Sequence, residues 1–228
     1  MQKRSTKYFI LASVLFLCFA LFTVIVATVD VQPIGPQQST VGLATVNQAV
    51  FTFFGVNRLW YDATDYLGIA AIATALGFAI GGLAQLIRRK SIKKVDPRIL
   101  LLGAFYVAVL AFYVFFELCV VNYRPVLLSQ ALEASYPSSH TMVVVCLMGA
   151  AMLQFQHVLR NRKGWLLAAE TVSALVIVIT VVGRLLSGVH WFTDIAAGVL
   201  LSVALLALYR AALQYIEERA DTPTDPQE

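Results

Sequence analysis

Residues 183–194 read Gly-Arg-Leu-Leu-Ser-Gly-Val-His-Trp-Phe-Thr-Asp, and they set Arg184, His190 and Asp194 between the end of one apolar run and the start of the next. Ionisable groups at the edge of hydrocarbon are costly to keep, so three gathered at one boundary point to chemistry. The flanking runs, Trp165 to Leu186 and Ile195 to Tyr215, are each long enough for a helix to cross a core of about 30 Å. Working outward, the runs Tyr8 to Val29, Tyr66 to Ile87 and Ile99 to Val121 are equally long. Thr141 to Leu159 is shorter but adequate, with His157 near one end, where a polar tip reaches the headgroups.

Composition agrees with a membrane protein. The chain has 228 residues, 59% of them hydrophobic and 13% charged, with a mean hydropathy of +0.76, outside the usual range of soluble domains. The fold expected is all-α and integral to the membrane, a six-transmembrane-helix bundle forming one domain over residues 1–220. The tail at 221–228, Asp-Thr-Pro-Thr-Asp-Pro-Gln-Glu, reads as disordered and cytoplasmic. The first run follows the basic segment Met1 to Lys7 but exceeds a signal-peptide core and has no convincing A-x-A site, so it is read as a retained span. Cys18, Cys119 and Cys146 all fall in apolar runs, which argues against a disulfide framework or a cysteine metal site and suggests core packing.

Lys and Arg mark the cytoplasmic flanks of spans. Here 14 of the 17 basic residues fall on one side, in Lys3 to Lys7, Arg88 to Arg98, Arg160 to Lys163 and at Arg210 and Arg219. Both termini are therefore expected in the cytoplasm, and only Arg58, Arg124 and Arg184 lie on the outer side. The net charge of +4 reflects this topology and gives no reason to propose nucleic acid as a partner. The outer segments are Asp30 to Asp65, Asn122 to His140 and Ser187 to Asp194. The first carries Phe51, Phe53, Phe54, Trp60 and Tyr61, and its second half is expected to form a short interfacial helix.

The outer segments hold the candidate site. His190 and Asp194 are four residues apart, so on a helix they share a face, and the carboxylate can accept an imidazole N–H. The free ring nitrogen then serves as base, metal ligand or nucleophile, although an interfacial hydrogen bond accounts for the pair equally well. Arg184 offers a planar fork suited to two phosphoryl oxygens; the alternative is an arginine snorkelling to headgroups. In Tyr136-Pro137-Ser138-Ser139-His140, the serines cap a helix whose first N–H groups form an anion seat, and His140 is placed for general acid work. Asn122-Tyr123-Arg124-Pro125 supplies a second guanidinium, with Pro125 ending the third span.

Taken in order, Arg-Pro, then P-S-x-H, then R-x5-H-x3-D, all at outer helix ends, the chain resembles the type 2 phosphatidic acid phosphatase superfamily. The motifs run from Glu117 to Asp194, about a third of the chain, and the six spans extend the resemblance. It implies that His190 attacks phosphorus to form a phosphohistidine, that Asp194 holds its ring, and that His140 protonates the leaving group. It also implies that Arg124, Arg184, Ser138 and nearby backbone amides, including that of Ser139, bind the phosphoryl oxygens. No metal or cofactor is needed for that scheme. By analogy with small bacterial members, the expected substrate is undecaprenyl diphosphate at the outer leaflet of a bacterial cell membrane. Phosphatidic acid and phosphatidylglycerol phosphate are rivals, as is transfer of the phosphoryl group to another lipid.

Two positions depart from the family pattern. Its first motif begins with lysine seven residues before the arginine, where this chain has Glu117. An ionised Glu117 near the pocket repels phosphate unless it pairs or is neutralised by desolvation. Because two helical turns would place it on the face of Arg124, Glu117 is expected to buttress an arginine. Ser139 stands where glycine is common and is expected to be tolerated. Arg58 is the spare outer cation, read first as an ordinary loop residue, with the place of the missing lysine as the alternative. A catalytically silent lipid-binding or transport protein is the competing class, and Glu117 is the feature that favours it. Transporters, however, tend to place ionisable groups at the midplane, and the main candidate within a span, Glu170, lies close to a cytoplasmic end.

Overall fold

The computed structural model describes residues 4–220, so the tail at 221–228 lies outside the described residues. Every expected span is a helix: α1 (Arg4–Thr28), α3 (Arg58–Arg89), α4 (Pro97–Leu118), α5 (Ser139–Val158), α6 (Lys163–Ser187) and α7 (Phe192–Ala220). These six are long and apolar enough to cross a bilayer. The short helix α2 (Ala44–Phe54) lies in the segment between α1 and α3 and packs against α6 and α7.

Local chemistry fixes the helix ends. Asp96 caps α4 ahead of Pro97, with Oδ1 accepting from the Arg98 N–H at 2.9 Å. The Ser138 Oγ accepts from the Thr141 N–H at 3.4 Å to cap α5. Gly188 ends α6 in the left-handed region at φ +67, a conformation that glycine takes without steric cost. The largest difference from the sequence reading is α3, which begins at Arg58 rather than Tyr66. Asn57 caps it, accepting from the N–H groups of Leu59 and Trp60 at 3.1 and 3.3 Å, so the polar stretch Arg58 to Asp65 joins the apolar run as one helix of 32 residues. At 1.5 Å per residue this is about 48 Å, well beyond the ~30 Å hydrocarbon core.

Helices α5 and α7 form the middle of the bundle, with 56% and 50% of their most apolar stretches buried, against 11–22% for the other four spans. α1 lies along α7, while α5 is packed by α3, α6 and α7. Leu102, Phe105, Met142, Cys146, Leu201 and Leu205 belong to the main core. Of the three cysteines only Cys146 is buried; Cys18 and Cys119 are exposed on the bundle surface, which corrects the expectation that all three pack in the core. Against lipid a thiol behaves as a small apolar group, so an apolar run alone does not show which face is inward.

Polar bonds tie both bundle ends. At one end, Ser5 Oγ donates to Glu218 at 2.6 Å and Arg98 pairs with Glu217. At the other, the Asn57 N–H donates to the Ser187 carbonyl at 3.1 Å. There Asn47 of α2 exchanges two bonds with Thr193, through its Nδ2 at 2.9 Å and its Oδ1 at 3.1 Å. All of the chemically suggestive residues collect at this second end.

Candidate active site

His190 lies in the short turn Gly188 to Trp191 between α6 and α7, and it is 3% exposed. Its Nδ1 is 3.2 Å from the Ser135 carbonyl, and a carbonyl only accepts, so Nδ1 carries the proton. On the other side of the ring, Nε2 is 3.2 Å from Nη1 of Arg124. A guanidinium only donates, so Nε2 presents its lone pair. Burial, followed by the nearby charges of Arg124 and Arg184, holds the His190 pKa well below its usual 6.5. The ring is thus neutral, with its lone-pair nitrogen turned toward an arginine.

Asp194 occupies a different place from the one inferred from spacing. Its carboxylate is 3.8 Å from His190 Nδ1, too far for a hydrogen bond. Instead Oδ2 accepts the Trp191 N–H at 2.9 Å and Oδ1 accepts from Asn122 Nδ2 at 3.2 Å. The reason is local: Trp191 precedes the first turn of α7, so Asp194 reaches back to cap that turn, and the imidazole proton goes to the Ser135 carbonyl. Asp194 supports the ring through the turn that carries it.

Arg184 is fully buried in the last turn of α6. Its guanidinium lies 5.1 Å from the centre of the Tyr61 ring, and Nη2 bonds Asp65. Its Nε and Nη1 are buried with no protein partner, an expensive state for a cation that an anion would relieve. His140, in the first turn of α5, points Nε2 at the same Asp65 oxygen across 3.1 Å. Ser138 caps that helix and donates its N–H to the Asp194 carbonyl oxygen at 2.8 Å, which locks α5 to α7. Ser139 follows and lines the openings on this face. Arg124, Arg184, His140 and His190 are therefore brought together, while Arg58 is exposed at the start of α3.

Glu117 is placed otherwise than expected. It is exposed on the last turn of α4, and the carboxylate beside Arg124 is that of Glu133, 3.2 Å from Nε. The helical spacing argument fails because α4 ends at Leu118, before Arg124. An isolated bridge between Tyr123 and Ala134 then folds the intervening loop back, bringing Glu133 to Arg124. Glu117, Glu133, Arg124 and His140 all line one opening of about 560 Å³.

Asp65, Asn122 and Ser135 were not singled out by sequence. Asp65 looked like the border of an outer loop, and its signal was the helix cap at Asn57 that carries it into α3. Ser135 acts through its carbonyl, which no side-chain pattern reveals. Beside His140 an apolar groove of about 350 Å³ opens between α3, α4 and α5, lined by Asp65, Gly68, Ile69, Ile72, Tyr113 and Val143 among others.

The fold is similar to that of a solved structure, the first transmembrane PAP2 type phosphatidylglycerolphosphate phosphatase from Bacillus subtilis. The TM-score is 0.59 at 18% identity, over 94% of this chain and 98% of that one. No curated protein matches the sequence. The model of the PAP2 superfamily matches residues 101–218, a stretch that holds His140, His190, Arg124 and Arg184 and the Asn122, Ser135 and Asp194 bonds around them. Since that stretch is more than half of the 228 residues, the chain belongs to the PAP2 superfamily.

Proposed function

We propose that this chain is a membrane lipid phosphatase that takes the phosphoryl group of a lipid phosphate or diphosphate onto Nε2 of His190 and releases it to water. The observation that carries this reading is His190 itself, buried and neutral, with Nε2 against Arg124 at 3.2 Å and Arg184 nearby with N–H groups that lack a protein partner. A phosphoryl group between these arginines has its phosphorus next to the nucleophile and its oxygens on fixed donors, the positioning and electrostatic work that phosphoryl transfer needs. Nε2 bonds to phosphorus as the leaving oxygen departs, His140 supplies that oxygen with a proton, and water then cleaves the phosphohistidine. Asp194 stabilises positive charge on the ring from 3.8 Å, and Ser138 and Ser139 hold the α5 N-terminus toward the anion. The scheme contains no metal step.

The cation bias of the sequence supports termini in the cytoplasm and a pocket at the outer face, and the resemblance to small bacterial family members supports a bacterial cell membrane. The groove beside His140 suits a substrate whose tail stays in lipid. Undecaprenyl diphosphate is the first reading. Phosphatidylglycerol phosphate is the second, favoured by the substrate of the Bacillus subtilis protein whose fold this chain shares.

The test is phosphate release by detergent-purified protein from undecaprenyl diphosphate, phosphatidylglycerol phosphate and phosphatidic acid, with EDTA present. The wild type is expected to hydrolyse at least one, and His190→Ala is expected to lose at least about 10³-fold, as removal of a covalent nucleophile does. Silence of the wild type on every lipid would sink the reading in favour of a non-catalytic lipid-binding protein.

A further inference from the structure

Asp65 belongs to none of the motifs, yet it is where three helices meet. It projects from α3, bonds Arg184 of α6 and lies 3.1 Å from Nε2 of His140 on α5. We propose that Asp65 is the positioning residue of the leaving-group acid, holding the His140 ring with a proton on Nε2; this rests on the phosphatase reading above.

A carboxylate facing an imidazole nitrogen at hydrogen-bond distance selects the tautomer that carries its proton there, and it favours the imidazolium as well. The other charged and titratable groups around His140 are Arg184 from α6, and Arg124 and His190 from the connecting segments, with Tyr113 of α4 lining the same groove and Glu117, Tyr123 and Glu133 lining the opening on its other side. The two guanidinium groups repel a positive His140. Among the described residues Asp65 is the carboxylate that pairs with it within 4 Å.

Position supports the same role. Asp65 and, one and two turns on, Gly68, Ile69 and Ile72 form the α3 wall of the apolar groove, so Asp65 stands at the rim where tail meets headgroup. α3 passes directly beside the acid: a Cβ on Gly68 would stand in ordinary contact with the His140 ring, at 3.6 Å. A substrate with its tail in the groove sets its bridging oxygen beside His140. The P–O bond then breaks with its electron pair on that oxygen, the doubly protonated His140 gives it the proton of the other ring nitrogen, Nδ1, while Nε2–H stays on Asp65, and the His190 Nε2–P bond forms. In the second half, water gives a proton to Nδ1 of His140 as its oxygen bonds phosphorus, and the P–N bond breaks with its electron pair returning to Nε2 of His190. Asp65 is unchanged throughout.

The test compares Asp65→Asn, Asp65→Glu, His140→Ala and the double variant on two substrates. Phosphatidic acid has an alkoxide leaving group that needs a proton, whereas 4-nitrophenyl phosphate has one that does not. Asp65→Asn is expected to lower kcat on phosphatidic acid by about 30–100-fold, toward the loss in His140→Ala, and by less than about 3-fold on the aryl ester, since general acid help is worth about 10²–10⁴-fold. Asp65→Glu should recover part of the loss, and the double variant should be no slower than His140→Ala alone. An equal loss on both substrates, or a raised KM with unchanged kcat, would overturn the proposal. A wild type inactive on both substrates and on the lipid panel instead removes the phosphatase reading, and the proposal with it.

Discussion

At the residue scale, the protonation state of His190 is the decisive property. A nucleophile must keep a lone pair, and the depressed pKa keeps Nε2 available at pH values where an ordinary histidine near 6.5 would be cationic. The rate of labelled phosphate transfer to His190 from 4-nitrophenyl phosphate, whose leaving group needs no proton, corrected for substrate ionisation, is therefore expected to hold as pH falls through 6.5. A tenfold fall per unit starting at pH 6.5 would contradict it. The same shift has a cost in stability. Below 6.5 the unfolded chain takes a proton that the folded chain refuses, so stability falls as pH drops, by up to about 1.4 kcal/mol per unit, until the folded-state pKa is reached.

At the element scale, the turn from α6 to α7 sets the aim of His190. Gly188 sits at φ +67, and a Cβ there would overlap the Gly55 carbonyl in the link between α2 and α3. Gly188→Ala therefore combines left-handed strain with a backbone clash, together about 1–3 kcal/mol. It is expected to lower the melting temperature and to cut kcat more than it raises KM, because His190 lies two residues on; a variant with wild-type kcat and melting temperature would refute this. The Ser138 N–H on the Asp194 carbonyl and the Asn122 amide on the Asp194 carboxylate are the corresponding ties from α5 and from the end of α4. One aspartate thus registers three elements.

At the scale of the whole molecule, the bundle separates its two ends by chemistry. The cation-rich loops flank one end, while His140, His190, Arg124, the buried Arg184 and the groove gather at the other. If the positive-inside bias governs insertion, the site end faces outward. In a chain with its native cysteines replaced by alanine, a membrane-impermeant maleimide should label Ser129→Cys in the exposed α4–α5 segment on intact cells. Lys90→Cys, at the end of α3, should react only after lysis. The reverse pattern would place the site in the cytoplasm and exclude outer-leaflet substrates.

Long apolar runs, their number and the sidedness of Lys and Arg were legible in the sequence, because hydrocarbon imposes a length and a composition on anything that crosses it. The grouping of Arg124, His140, Arg184 and His190 was legible too, since each sits beside a helix end and the six spans return those ends to one side. The partners of these groups were not. Helical spacing suggested Glu117 for an arginine and Asp194 for the His190 proton, but the structure supplies Glu133 and the Ser135 carbonyl, because α4 stops at Leu118 and Asp194 turns back to cap α7. Asp65 entered the site only because Asn57 starts α3 at Arg58, before the apolar run begins. Sequence determined where the chain crosses the membrane and which residues stand at its ends; tertiary structure decided which atoms meet, because caps and turns, unlike apolar length, act through hydrogen bonds a few residues long.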